Sequence, residues 1–316
     1  MKIVASTGAE DIAQVYIVEL GEGKLVECVE AVQPPLPRER KWVLLVSTMC
    51  GCPVKCIMCD AGGYYRGKLT SDDIFAQIDY LVRKRFPQGV IPASQFKIQF
   101  ARMGEPALNE AVLDVLDELP VRYTAPGLMP SLSTVAPAGT LRFFERLLAI
   151  KRAKYSGGRF QFQFSIHTTD EQLRDRIVPI RKWTFAEMAE YGERFYQPGD
   201  RKVTLNFALA QDAPIDPGVL LKHFDPATFL VKITPLNPTY RAAEHRLSSY
   251  IDPSQAGDDY PVIKALHASG YDVIVSVGEV EENLIGSNCG QYVMRHLQAG
   301  TPIQDGYTYP LRAQAS

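Results

Sequence analysis

Short apolar stretches recur through the middle of this chain, separated by stretches with helical spacing, and that alternation limits its fold more than any other feature. Trp42 to Val46, Phe96 to Phe100, Met129 to Ser133, Phe160 to Ser165, Val203 to Ala208, Phe229 to Thr234 and Val273 to Val277 read as strands, with helical patterns such as Asp72 to Arg85 and Leu141 to Lys151 between them. Strand–helix alternation predicts a parallel α/β fold, either an open sheet or a full or partial (β/α) barrel. The run WVLLV is continuous enough for a strand buried on both faces.

In RFQFQFSIH, Phe160, Phe162 and Phe164 share one face while Gln161, Gln163, Ser165 and His167 share the other. Phe96, Ile98 and Phe100 alternate with Lys97 and Gln99 in the same way. A polar face inside a covered sheet needs a polar occupant. A barrel whose lumen holds a polar ligand accounts for it better than an amphipathic antiparallel sheet with one wet face. Ahead of the barrel, Ile12 to Leu20 and Lys24 to Ala31 are β-rich and joined by Gly21-Glu22-Gly23, a small hairpin linked onward by QPPLPRER. The expected organisation is a hairpin cap over 1–34, a barrel core over 35–300 and a tail over 301–316.

A chain of 316 residues with 46% hydrophobic content and a formal net charge of -2 can bury one large core. No apolar run reaches the roughly 18 residues of a membrane span, and MKIVASTGAEDIAQ has no basic region leading into an apolar stretch. A cytoplasmic protein without membrane association is expected. The slightly acidic balance gives no reason to expect DNA binding. RERK, RKR, KRAKYSGGR and Arg181-Lys182 could form a local path for phosphates, although such runs are ordinarily solvated faces.

Four of the six cysteines crowd into STMCGCPVKCIMCDAGG, residues 47 to 63. Cys52, Cys56 and Cys59 form C-x3-C-x2-C directly after the first barrel strand, where barrel enzymes build their active sites. So few cysteines in so long a chain do not make a disulfide framework. Three thiolates on one tight loop suit a four-iron cube, which leaves one iron open to a further ligand. The competing reading is a zinc site with Cys50 as fourth ligand, although zinc knuckles usually pair two cysteine hooks and only one is present.

C-x3-C-x2-C resembles the radical S-adenosylmethionine superfamily. With RMGEPALN, SLST, SIHTTDEQLRDRIVPI, ITPLNP and NCGQY following in order, the chain from about Ile12 to about His296 resembles the RlmN/Cfr family of RNA adenine methyltransferases. The resemblance implies a radical S-adenosylmethionine barrel holding a 4Fe-4S cluster on Cys52, Cys56 and Cys59. Gly104 and Glu105 would receive the amino end of S-adenosylmethionine, and Ser133, Ser165, Ile166, His167 and Asn237 the rest of it. Cys289 would carry a methyl group to an sp2 carbon, and Glu27 matches a glutamate thought to accept a proton. Without the resemblance, His167 would read as a core histidine, Asn237 as a turn residue and Glu27 as a solvated hairpin carboxylate.

The resemblance further implies an electron donor of flavodoxin or ferredoxin type. Two departures bear on function. The family's resolving cysteine lies seven residues before the first cluster ligand, where this chain has Leu45, leaving Cys50 and Cys28 as the spare thiols. The family's N-terminal helical accessory domain, which assists RNA binding, is not expected here. RNA and a smaller aromatic substrate both stay open. So do a radical enzyme without methyl transfer, in which Cys289 donates hydrogen or anchors substrate, and a metal-binding module without turnover.

Overall fold

The computed structural model describes residues 1–252, 260–278, 280–287 and 308–313. Its strands are β1 (Lys2–Ala9), β2 (Ala13–Leu20), β3 (Lys24–Ala31), β4 (Lys41–Val46), β5 (Met49–Gly51), β6 (Tyr65–Lys68), β7 (Gln95–Phe100), β8 (Leu128–Thr134), β9 (Gln161–Ser165), β10 (Val203–Leu209), β11 (Phe229–Pro235), β12 (Val273–Val275) and β13 (Arg312–Ala313). All but β5 and β6 form one sheet in the order β12-β11-β10-β9-β8-β7-β4-β3-β2-β1-β13. From β4 to β12 every neighbouring pair is parallel, with helices at the crossovers, including Ser71–Arg85, Ala111–Arg122 and Leu141–Lys154. This is the partial (β/α) barrel expected from the alternation.

β9 pairs in parallel with both β8 and β10, so the amphipathic antiparallel sheet is excluded. Phe160, Phe162 and Phe164 are buried under the helices, where Phe162 packs edge-on against Tyr191. Gln161, Gln163 and Ser165 face the lumen. β4 departs from its expected two-sided burial. Trp42, Leu44 and Val46 are fully buried, whereas Val43 and Leu45 are half-buried. A hollow barrel explains this, because the inner face of a strand meets a cavity instead of a second packed layer.

The hairpin forms over β2 and β3 and is joined by β1, a strand the sequence reading did not identify. β3 pairs antiparallel with β4, Val29 opposite Leu45, so the hairpin continues the barrel's own sheet. The helix Ser71–Arg85 begins at a Thr70–Asp73 capping box and buries Ile74, Ile78 and Leu81 at helical spacing against the outer face. Among the described residues no helix is long and apolar enough to cross a membrane.

Candidate functional site

Parallel strands all deliver their C-terminal ends to one rim, and the loop after β4 is folded tightly there. β5 and β6 pair antiparallel across it. Gly51 has φ +78°, and a Cβ there would lie 1.1 Å from the Tyr64 carbonyl oxygen, so only glycine fits. Cys52 N–H donates to the Ala61 carbonyl at 2.8 Å, and Lys55 adopts a left-handed conformation with φ 59°. Cys52, Cys56 and Cys59 consequently line the same cavity. Burial pushes the Cys52 and Cys56 thiols up to about 12.

Among the described residues no three His, Cys, Asp or Glu side chains converge as ligands of one metal ion. A zinc ion would need its sulfurs about 2.3 Å from a single point. Cluster ligands bind separate irons and stand further apart. Cys50, the fourth ligand of the zinc reading, is buried outside the cavity with its Sγ donating to the Leu25 carbonyl at 3.3 Å. Cys50 is thus not placed to join Cys52, Cys56 and Cys59 as the fourth ligand of a zinc site.

The loop is braced from both sides. Asn109, at the end of RMGEPALN, donates to the carbonyls of Thr48 and Leu69, each at 2.8 Å. Asp60 accepts from the backbone N–H groups of Tyr240 (3.2 Å) and Arg241 (2.9 Å), and Thr239 Oγ1 donates to the Met58 carbonyl at 2.9 Å. These bonds fasten the cysteine loop to the segment that carries Asn237, which lines the cavity. Asp60 and Thr239 were not singled out from the sequence; a polar residue one position after the last cysteine was their only local signal.

Gly104 has φ +102°, and a Cβ there would lie 2.6 Å from Met49 Cβ and 2.7 Å from Thr48 Oγ1. The backbone can therefore pack against the Thr48–Met49 stretch only because no side chain is present. Glu105 is buried, and burial raises its carboxyl to about 7 even though it accepts from Thr134 Oγ1 (2.5 Å), Val135 N–H (3.0 Å) and Ala107 N–H (3.0 Å). Ser133, Ser165 and His167 line the cavity beside it. Ile166 lies between the last two with its side chain in the core, its N–H donating to the Asn206 carbonyl at 2.8 Å. His167 has φ 69°, and its Nδ1 accepts from Ala208 N–H at 3.3 Å, which leaves the proton on Nε2. Burial lowers it to about 4, so the ring is neutral near pH 7.

Glu27 is not a solvated hairpin carboxylate. Its side chain is fully buried rather than solvated, and Arg102 Nε donates to its Oε2 at 3.0 Å while Arg102 Nη2 pairs with the same oxygen. Arg102 also donates to the carbonyls of Ser287 (2.7 Å) and Gly286 (3.1 Å). It thereby holds the chain two residues before Cys289, which lies outside the described residues, as does the rest of NCGQY. Leu45, the position matched in sequence to a resolving cysteine, lines the cavity. Neither spare thiol compensates: Cys50 is placed as above, and Cys28, fully buried opposite Tyr16 in the hairpin, does not line the cavity.

Several residues of the basic stretches form ion pairs within the protein. Lys84 and Arg85 pair with Glu30, Lys151 with Asp200, Lys154 with Asp117, and Lys182 with Asp175.

No protein-family model matches the chain. It is 29% identical over 261 residues to the dual-specificity RNA methyltransferase RlmN of Geobacter sulfurreducens, covering 79% of this chain and 64% of that protein. It is 24% identical over 306 residues to the RlmN of Pseudomonas fluorescens, covering 92% and 73%. The chain thus spans under two thirds of the Geobacter relative's length. A crystal structure of a radical SAM methyltransferase from Sphaerobacter thermophilus superposes with a TM-score of 0.68 at 21% identity, over 87% of this chain and 76% of the other.

Proposed function

For a chain that is RlmN/Cfr-like in sequence and has the radical S-adenosylmethionine fold, we propose an enzyme that methylates an sp2 carbon of RNA adenine or a related aromatic substrate. The observation that carries the proposal is one cavity lined at once by Cys52, Cys56, Cys59, Glu105, Ser133 and Asn237. The three cysteines would hold a 4Fe-4S cluster, reduced by a small flavodoxin- or ferredoxin-type donor. With the cluster and S-adenosylmethionine bound, the chemistry supplied is an electron and a 5′-deoxyadenosyl radical.

The chain's own residues would bind and orient. Gly104 leaves its backbone exposed to the amino end of the cofactor, and Glu105, fixed by three hydrogen bonds, shapes that end of the cavity. Ser133, Ser165 and Asn237 offer hydroxyl and amide groups to the remainder, and neutral His167 offers an N–H. Cys289 would be the methyl carrier, on a segment held by Arg102. Glu27, committed to Arg102, supports a positioning role better than proton transfer. The internal pairing of Lys84, Arg85, Lys151, Lys154 and Lys182 takes these charges out of a phosphate path and leaves room for a small substrate.

Anaerobically reconstituted protein should carry one 4Fe-4S cluster, release 5′-deoxyadenosine with dithionite and acquire one methyl group on the peptide containing Cys289. Cys52→Ala, Cys56→Ala and Cys59→Ala should each abolish cleavage. A triple variant that still cleaves S-adenosylmethionine would end this reading. A Cys289 that is never methylated, with normal product from Cys289→Ala, would favour radical chemistry without methyl transfer.

A further inference from the structure

Deeper in the lumen, towards the starts of the strands, stand two lysines that the cofactor site does not use. Lys97 projects from β7 and Lys232 from β11, and both line the cavity. Lys97 is only 9% exposed. Among the described residues neither ammonium group has a hydrogen-bond or ion-pair partner. The contrast with Lys151 is direct: that lysine is as deeply buried but is paired with Asp200 and donates to the Phe195 carbonyl at 2.8 Å.

The surroundings add to the positive charge. Lys97 and Lys232 repel each other, Lys41 acts on both and Arg201 on Lys97, while the Glu282 carboxylate draws on Lys232 and Lys41. Burial first, then these like charges, pushes Lys97 down to about 7 and Lys232 in the same direction. Unpaired cations inside a protein are unfavourable, and a bound anion relieves both the desolvation and the repulsion. Gln99 and Gln161 present amides to the same space.

We propose that Lys97 and Lys232, with the amides of Gln99 and Gln161, form a subsite for the phosphate or carboxylate group of a small aromatic substrate that enters the lumen. So enclosed a lysine is reached by the end group of a small ligand more readily than by the backbone of a polymer. The proposal rests on reading this cavity as the substrate chamber.

The test is calorimetric titration of the full chain, reconstituted anaerobically and saturated with S-adenosylmethionine, without reductant so that no turnover occurs. Adenosine monophosphate is compared with adenosine, and benzoate with benzamide. At least one anion should bind about tenfold or more tightly than its neutral twin, and Lys97→Gln/Lys232→Gln should erase that preference. Preference for the phosphate or for the carboxylate identifies which group the lysines hold. Equal or absent binding of anion and neutral twin by the wild type overturns the subsite, as does a double variant that keeps the preference. The wild-type comparison stands even where the double variant fails to fold. Because binding is read without radical chemistry, failure of methyl transfer would leave this result standing.

Discussion

Glu27→Gln separates two roles that the same position could play. Glu27 and Arg102 both have fully buried side chains, and the pair is joined through two guanidinium nitrogens. The glutamine is nearly isosteric but removes the charge, leaving a buried guanidinium held only by neutral acceptors, the Gly286 and Ser287 carbonyls among them. Breaking one side of a buried pair costs about 3–5 kcal/mol. The retained carbonyl bonds put this variant towards the lower end. Arg102→Met should cost more, since it removes the charged partner of a buried carboxylate and frees two carbonyls, each worth about 1–3 kcal/mol when left unpaired. Urea unfolding of both single variants and the double variant gives the coupling energy directly. Because Arg102 holds residues 286–287, Glu27→Gln should also slow methylation of Cys289 while sparing reductive cleavage of S-adenosylmethionine. A Glu27→Gln protein with stability within about 0.5 kcal/mol of wild type would refute the positioning argument. Full stability and normal Cys289 methylation with loss of product would instead restore a proton-accepting glutamate.

Two further predictions concern charge. Burial pushes Glu30 up, but hydrogen bonds and charge from Arg85 and Lys84 outweigh it and hold its carboxyl below the ordinary value, so its stabilisation is present above about pH 4.3 and is lost as the pH falls through the lower folded value. Glu30→Gln should flatten the acid limb of stability against pH, and an unchanged limb would refute this. Lys97, lowered to about 7 from about 10.4 in the unfolded chain, binds fewer protons folded than unfolded across that window, so wild-type stability should rise with pH there. Lys97→Met should be more stable than wild type by a few kcal/mol at pH 7, with the gain shrinking towards pH 10; a destabilised or pH-independent variant would refute it.

What the sequence discloses is what local periodicity can encode. The Phe–Gln alternation of β9 exposes a polar inner face because strand side chains alternate whatever lies beyond them, and that face lines the cavity. The same period marked Lys97 as inward-facing. It would have marked Lys232 in FLVKITP too, had that strand been read for its faces as well as its apolarity. Glu27 was not legible in this way, since its partner Arg102 is 75 residues distant and the carbonyls Arg102 also binds are 184 and 185 residues further on. A glutamate in an isolated hairpin is solvated, and this one is dry only because β3 joins the barrel sheet beside β4 and the chain returns over it at residues 286–287. The same non-local packing bears on Leu45. Spacing alone offered Cys50 and Cys28 as replacement thiols, but the sheet puts Leu45 on the cavity wall and leaves both cysteines off it. All six cysteines of the chain are then accounted for, so under the proposed methyl transfer a resolving thiol would have to come from outside this chain, or the adduct on Cys289 would have to be released by a group other than a thiol.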